Sequence, residues 1–115
     1  MQRRAAVYLW DAEKACGLVL KFVRGRTFDE YRQDLVLSSA VERQLTIMAE
    51  ALNKFARIEP EIATRITDLP KIIAFRNLLV QAYADVDDAI VWKIISGALP
   101  DLRTDLRALL REVAE

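Results

Sequence analysis

The sequence predicts an all-α fold, an antiparallel four-helix bundle with one or two short accessory helices. Three observations carry that expectation. Apolar residues recur at steps of three and four along most of the 115 residues, the spacing that lines one face of a helix. Three Gly and three Pro are about half the average usage, too few turn formers for a sandwich or a barrel. Hydrophobic residues make up 53% and charged residues 30%, which supplies a core and excludes a disordered acidic tail. The length suits one domain over residues 1–115.

The elements follow in order. Tyr8, Ala12, Ala15, Val19 and Phe22 share one helical face, so a first helix is expected over 3–24, stopped by Gly25. Thr27 and Glu30 have the form of a capping box opening a short second helix. Ser39 and Glu42 offer another, and Val41, Leu45, Met48, Leu52 and Phe55 repeat the four-three spacing, predicting a third helix from about Ser38 to Ile58. Pro60 and Pro70 bracket a solvated connector with room for one helical turn. A fourth long helix runs from Pro70 to about Tyr83, apolar on more than one side, as in a central or interface helix. Asp87 or Asp88 caps a segment that Gly97 ends, and a last helix after Pro100 buries Leu102, Leu106, Leu109 and Val113. The apolar surplus of the fourth helix calls for a second burial partner, most simply a copy of the chain in a homodimer.

Composition removes several functions. Seventeen basic residues balance seventeen acidic ones, so no global positive field draws nucleic acid. Charge is nonetheless uneven, with an excess of basic groups over residues 1–32 and of acidic groups over 83–115. The chain has no histidine and one cysteine, Cys16, which excludes histidine zinc sites, histidine triads, thiolate clusters and an intrachain disulfide. Cys16 falls in an apolar helical pattern and reads as a buried, inert thiol. Charges interrupt every apolar run, so no signal core or membrane span is expected, and a soluble cytoplasmic protein is.

Arg76, Asn77, Gln81 and Tyr83 put four polar side chains into the most apolar helix. Interhelical hydrogen bonding with an Arg reaching along its stem to solvent explains them without function. At about 100° per residue, Tyr83 falls near the Arg76 face and Gln81 some 140° from it, so convergence needs a bend, the length of the Arg, or a symmetry mate. Trp10 and Trp92 read as core, Asp85, Asp87 and Asp88 as a cap and a solvated face rather than a magnesium site. Arg3 and Arg4 stand about 30 Å along the first helix from Arg24 and Arg26, too far for one phosphate pocket.

The segment Phe75-Arg-Asn-Leu-Leu-Val-Gln-Ala-Tyr83, continuing through Asp85-Val-Asp87 to Val91-Trp92, closely resembles the signature of HepT-like proteins, a minimal branch of the HEPN superfamily. Their pattern is R-x-x-x-x-H-x-Y followed by an acidic stretch and Val-Trp. The segment from Ser39 to Leu52 is similar to that family's third helix, and the resemblance spans nearly the whole chain. It implies a homodimeric helical toxin of a prokaryotic type VII toxin–antitoxin pair that cuts RNA without a metal or other cofactor at a cleft made by both subunits. It also implies a minimal nucleotidyltransferase (MntA-like) antitoxin that neutralises the nuclease by transferring AMP onto the motif tyrosine, here Tyr83. By the same match Arg76 binds the scissile phosphate and Asn77 supports it.

Gln81 stands where the family has its histidine. An imidazole titrates near neutrality and an amide does not, so about 10²–10⁴-fold of acid–base help is expected to be missing. Glu42 or Glu50 substitutes only if the fold brings one close and raises its pKa. A degenerate nuclease, a detoxified variant and a branch with a binding role are all compatible with Gln81. The alternative reading is therefore a catalytically inactive interaction module for a nucleotidyltransferase or RNA.

Overall fold

The computed structural model describes residues 1–81 and 86–114, the side chains of Val80, Gln81 and Ala114 excepted. In chain order it contains α1 (Arg3–Val23), α2 (Phe28–Gln33), α3 (Leu35–Ile58), α4 (Pro60–Ala63), α5 (Leu69–Gln81), α6 (Asp88–Lys93), a π-helical segment (Ile94–Ala98) and α7 (Leu99–Ala114). The protein is an all-α bundle, and among the described residues three short helices accompany the four long ones.

α1 packs between α3 and α7, and α5 lies on α3. The backbone N–H of Gln2, before α1, donates to Glu59 Oε1, after α3, at 2.8 Å, so these two helices run antiparallel. On the other side of α1, Arg103 and Arg107 of α7 both donate to Glu13 Oε1, at 3.2 and 3.3 Å. Gly17 permits this approach, since a Cβ there would lie 3.0 Å from Arg103 Nη2.

On α3 the predicted face is the buried one: Val41, Leu45, Met48, Leu52 and Phe55 are all fully buried. On α1 the predicted Ala12, Ala15 and Val19 are buried, together with Ala5, Leu9 and Cys16, whereas Tyr8 and Phe22 are only half-buried at the margin. The small Ala and Cys side chains along this face let the neighbouring helices approach closely. On α7, Leu102, Leu106 and Leu109 are buried as expected, whereas Val113 in the last turn is 41% exposed.

Local capping explains most helix boundaries. Gly25 adopts φ +73° after α1, a conformation that costs glycine little. Thr27 Oγ1 accepts from the N–H of Glu30 at 3.2 Å while Glu30 Oε1 accepts from the N–H of Thr27 at 3.0 Å, the reciprocal box the sequence predicts. The second predicted box is overturned: Ser39 and Glu42 lie inside α3, which starts earlier. Asp34, in extended conformation, caps it by accepting from the N–H of Leu37 at 3.0 Å. Gly97 ends nothing, because α6 runs through the π-helical segment directly into α7. The Leu99 N–H bonds the carbonyl of Ile94, and this wider turn carries the chain past Pro100, which has no N–H to give.

Trp92 closes the α2–α6 junction, its ring centroid 5.3 Å from that of Tyr31 and 6.1 Å from that of Phe28. Trp10 departs from the core expectation, being 57% exposed with the Lys14 ammonium 5.5 Å from its ring. Cys16 is buried, and desolvation pushes its thiol up to about 12, the state of an inert side chain. Among the described residues no helix is long and apolar enough to cross a membrane.

Candidate active site

α5 holds the residues singled out in the sequence because its register turns Leu69, Ile72, Phe75 and Leu79 into the core. Arg76 follows Phe75 and leans towards α3, while Asn77 and Leu78 stay exposed. Arg76 Nη2 donates to Glu50 Oε1 of α3 at 3.3 Å, and Arg76 Nη1 donates to Asn77 Oδ1 at 3.4 Å. Arg76 Nε is buried and has no hydrogen-bond partner among the described residues. Both bonds are long beside the ~2.7–2.9 Å usual for a guanidinium on a carboxylate. The Arg76 and Glu50 side chains are also 35% and 42% exposed. Each acceptor can therefore yield to a phosphate oxygen at little cost, since a half-exposed ion pair is worth under about 1 kcal/mol.

Arg76 and Asn77, neighbours in sequence, are joined by the hydrogen bond from Nη1. The Gln81 backbone closes α5, but its side chain lies outside the described residues, as do Tyr83 and Asp85 entirely. Glu50 is the partner that spacing along one helix did not supply, because it reaches Arg76 from 26 residues away.

The two carboxylates considered as substitutes for histidine divide the requirements between them. Glu50 touches Arg76. Glu42 has its carboxyl raised above the usual range, first by desolvation and then by the nearby charge of Asp88. Eight residues, about 12 Å of helix rise, separate them on α3. Asp87 is a helix cap, accepting from the N–H groups of Ala89 and Ile90 at 2.9 and 3.4 Å. Among the described residues no group of three His, Cys, Asp or Glu side chains is arranged to hold a metal ion. Arg26 is occupied by Asp34 at 3.6 Å.

A model of the HepT-like ribonuclease family matches residues 12–109, most of the chain and all of the Arg76–Glu50 site. The chain belongs to the HepT-like ribonuclease family. Among its relatives, a Thermococcus cleftensis protein provisionally named ribonuclease HepT is 33% identical over 107 residues, covering 90% of this chain and 93% of that protein. A Caldanaerobacter subterraneus protein provisionally named an RNase is 26% identical over 107 residues, covering 91% and 93%. A Methanocaldococcus jannaschii protein of similar provisional name is 22% identical over 107 residues, covering 91% and 95%. No solved structure matches the chain.

Proposed function

We propose that this HepT-like protein is the toxin-type component of a type VII toxin–antitoxin pair, a metal-independent endoribonuclease scaffold that works as a homodimer in the cytoplasm. One observation carries the reading: Arg76, on the helix bearing the family motif, presents a guanidinium that among the described residues is held by two long, replaceable hydrogen bonds. A phosphodiester entering there receives two charge-assisted bonds in fork geometry, and the charge that builds on its oxygens during cleavage is stabilised.

Cleavage through the 2′-hydroxyl needs a group to take that proton while O2′ bonds to phosphorus and the 5′ oxygen leaves. Gln81 does not titrate and cannot serve. Glu50 lies on Arg76 and Glu42 has the raised carboxyl, so neither meets both requirements for replacing the imidazole. Slow cleavage with retained RNA binding follows. The homodimer is supported by Leu78 of α5, which is 54% exposed, and by a groove of about 930 Å³ between α5 and the segment 60–68. A minimal nucleotidyltransferase antitoxin would neutralise the protein by AMP transfer to Tyr83. Gln81 itself favours a second reading, a silent module that binds this partner or RNA.

The test is incubation of the purified chain with RNA and a chelator, beside Arg76→Ala, with sedimentation of the same samples. Chelator-resistant cleavage that Arg76→Ala abolishes, in a particle of dimer mass, supports the nuclease. Adenylyl mass addition at Tyr83 in a separate incubation with ATP, magnesium and a minimal nucleotidyltransferase, with no cleavage by the untreated chain, supports the silent module.

A further inference from the structure

Beside Arg76, towards the C-terminal end of α3, lies a pocket of about 330 Å³ lined by Glu50, Asn53, Lys54, Arg57 and Arg76. Glu50, Lys54 and Arg57 fall at i, i+4 and i+7 of one helix and therefore share a face. Three cations stand there against one carboxylate, and that carboxylate is already engaged by Arg76. Among the described residues neither Lys54 nor Arg57 has a carboxylate within ion-pair distance. Six of the twelve arginines are paired with a carboxylate among the described residues, Arg26, Arg32, Arg65, Arg76, Arg103 and Arg107, so an unpaired Arg57 is ordinary by itself and what sets it apart is its place in a pocket with Lys54 and Arg76. Ordinary duties account for part of the arrangement. Lys54 Nζ lies 5.7 Å from the Tyr8 ring, and Arg57 occupies the last turn of α3, where a cation suits the helix dipole. Neither duty requires both charges to line the pocket that Arg76 also lines.

We infer that this pocket is a second phosphate subsite, which takes the backbone phosphate next to the one held at Arg76 in single-stranded RNA. Lys54 and Arg57 donate to its oxygens, and the Asn53 amide is available to a sugar or phosphate oxygen. Arg57 follows Glu50 by seven residues, about 10 Å along the helix, a span that the long Lys and Arg side chains shorten. The strand then enters over the C-terminal half of α3 and crosses the motif helix at Arg76. This subsite rests on the ribonuclease reading of Arg76, and the experiment separates the two.

Binding of a fluorescent, cleavage-resistant 2′-O-methyl oligonucleotide is followed by anisotropy across a salt series. The full chain is compared with Arg76→Ala, with the double variant Lys54→Gln/Arg57→Gln, and with Lys21→Gln/Lys93→Gln, which removes the same charge at the other end of the bundle. All four substituted positions outside the motif helix are exposed, and circular dichroism confirms folding. The subsite predicts roughly tenfold weaker binding for the Lys54/Arg57 pair, as loss of a charge-assisted contact implies. The slope of log affinity against log salt becomes shallower by about 0.7, one single-strand phosphate contact. The gain in affinity from a second phosphate on a short probe disappears in that variant and survives in the Lys21/Lys93 control. Binding that needs Arg76 but treats both double variants alike overturns the subsite alone. Absence of binding by the full chain, or binding indifferent to Arg76→Ala, overturns the ribonuclease reading and the subsite with it.

Discussion

Replacing Arg76 by Ala is expected to separate function from stability. The ion pair with Glu50 joins side chains that are 35% and 42% exposed, so its loss costs at most about 1 kcal/mol. Truncation also removes two methylenes of a partly covered stem, at ~0.8 kcal/mol each if they were fully buried, hence about 1 kcal/mol here. Against these stands the release of Nε, which is buried without a partner among the described residues. An unsatisfied buried donor costs about 1–3 kcal/mol. The net change in folding free energy is within about 1 kcal/mol, a shift of no more than about 5 °C in Tm for a chain of this size. An RNA phosphate loses one charge-assisted contact worth ~1.5–3 kcal/mol, so affinity falls by about 10–150-fold. Thermal melts and RNA anisotropy on one preparation measure both quantities. A loss of 3 kcal/mol or more in stability, or unchanged affinity, would refute the argument by making Arg76 a structural residue.

Phe55, fully buried at the centre of the α3 face, is expected to cost about 3–5 kcal/mol as Phe55→Ala, read from the urea midpoint with an unchanged slope. Glu42 sets a pH dependence of defined sign. Its folded carboxyl is raised by desolvation and by Asp88, so the fold favours the protonated form, and its penalty grows as pH rises from the ordinary carboxylate range through the raised one. Glu42→Gln should therefore melt higher than the parent at neutral pH, with the difference closing below about pH 4. Equal melting temperatures at pH 7 would contradict that assignment. Cys16, buried with its thiol at about 12, should react with an aromatic disulfide reagent only on unfolding, and rapid labelling of the folded chain would count against its burial.

The legible parts of this fold were those where one physical signal dominated. The α3 face was readable because large apolar residues occupy a single ridge, and the Thr27–Glu30 box because both members lie within one turn. On α1 the predicted Ala12, Ala15 and Val19 are buried, but the close approach of neighbouring helices centres the face on small residues, adding Ala5 and Cys16 and leaving Tyr8 and Phe22 at its edge. Gly97 resembled a stop, yet the chain continues because a π turn, which has no compositional mark, carries it past Pro100. At the site, Arg76 and Asn77 stood out as polar residues within an apolar helix and by their match to the HepT-like motif. The Glu50 contact depends on how α3 and α5 align, and the Lys54–Arg57 pocket depends on that same alignment, so neither could be read along the chain.

The central claim is that this is a ribonuclease site whose proton-transfer position holds an amide. It is tested most directly by metal-free cleavage of RNA by the chain as it stands beside Gln81→His. The account predicts slow cleavage rising by about 10²–10⁴-fold in the histidine variant, with Arg76→Ala silencing both. Equal rates with and without the histidine, or cleavage that persists in Arg76→Ala, would contradict it.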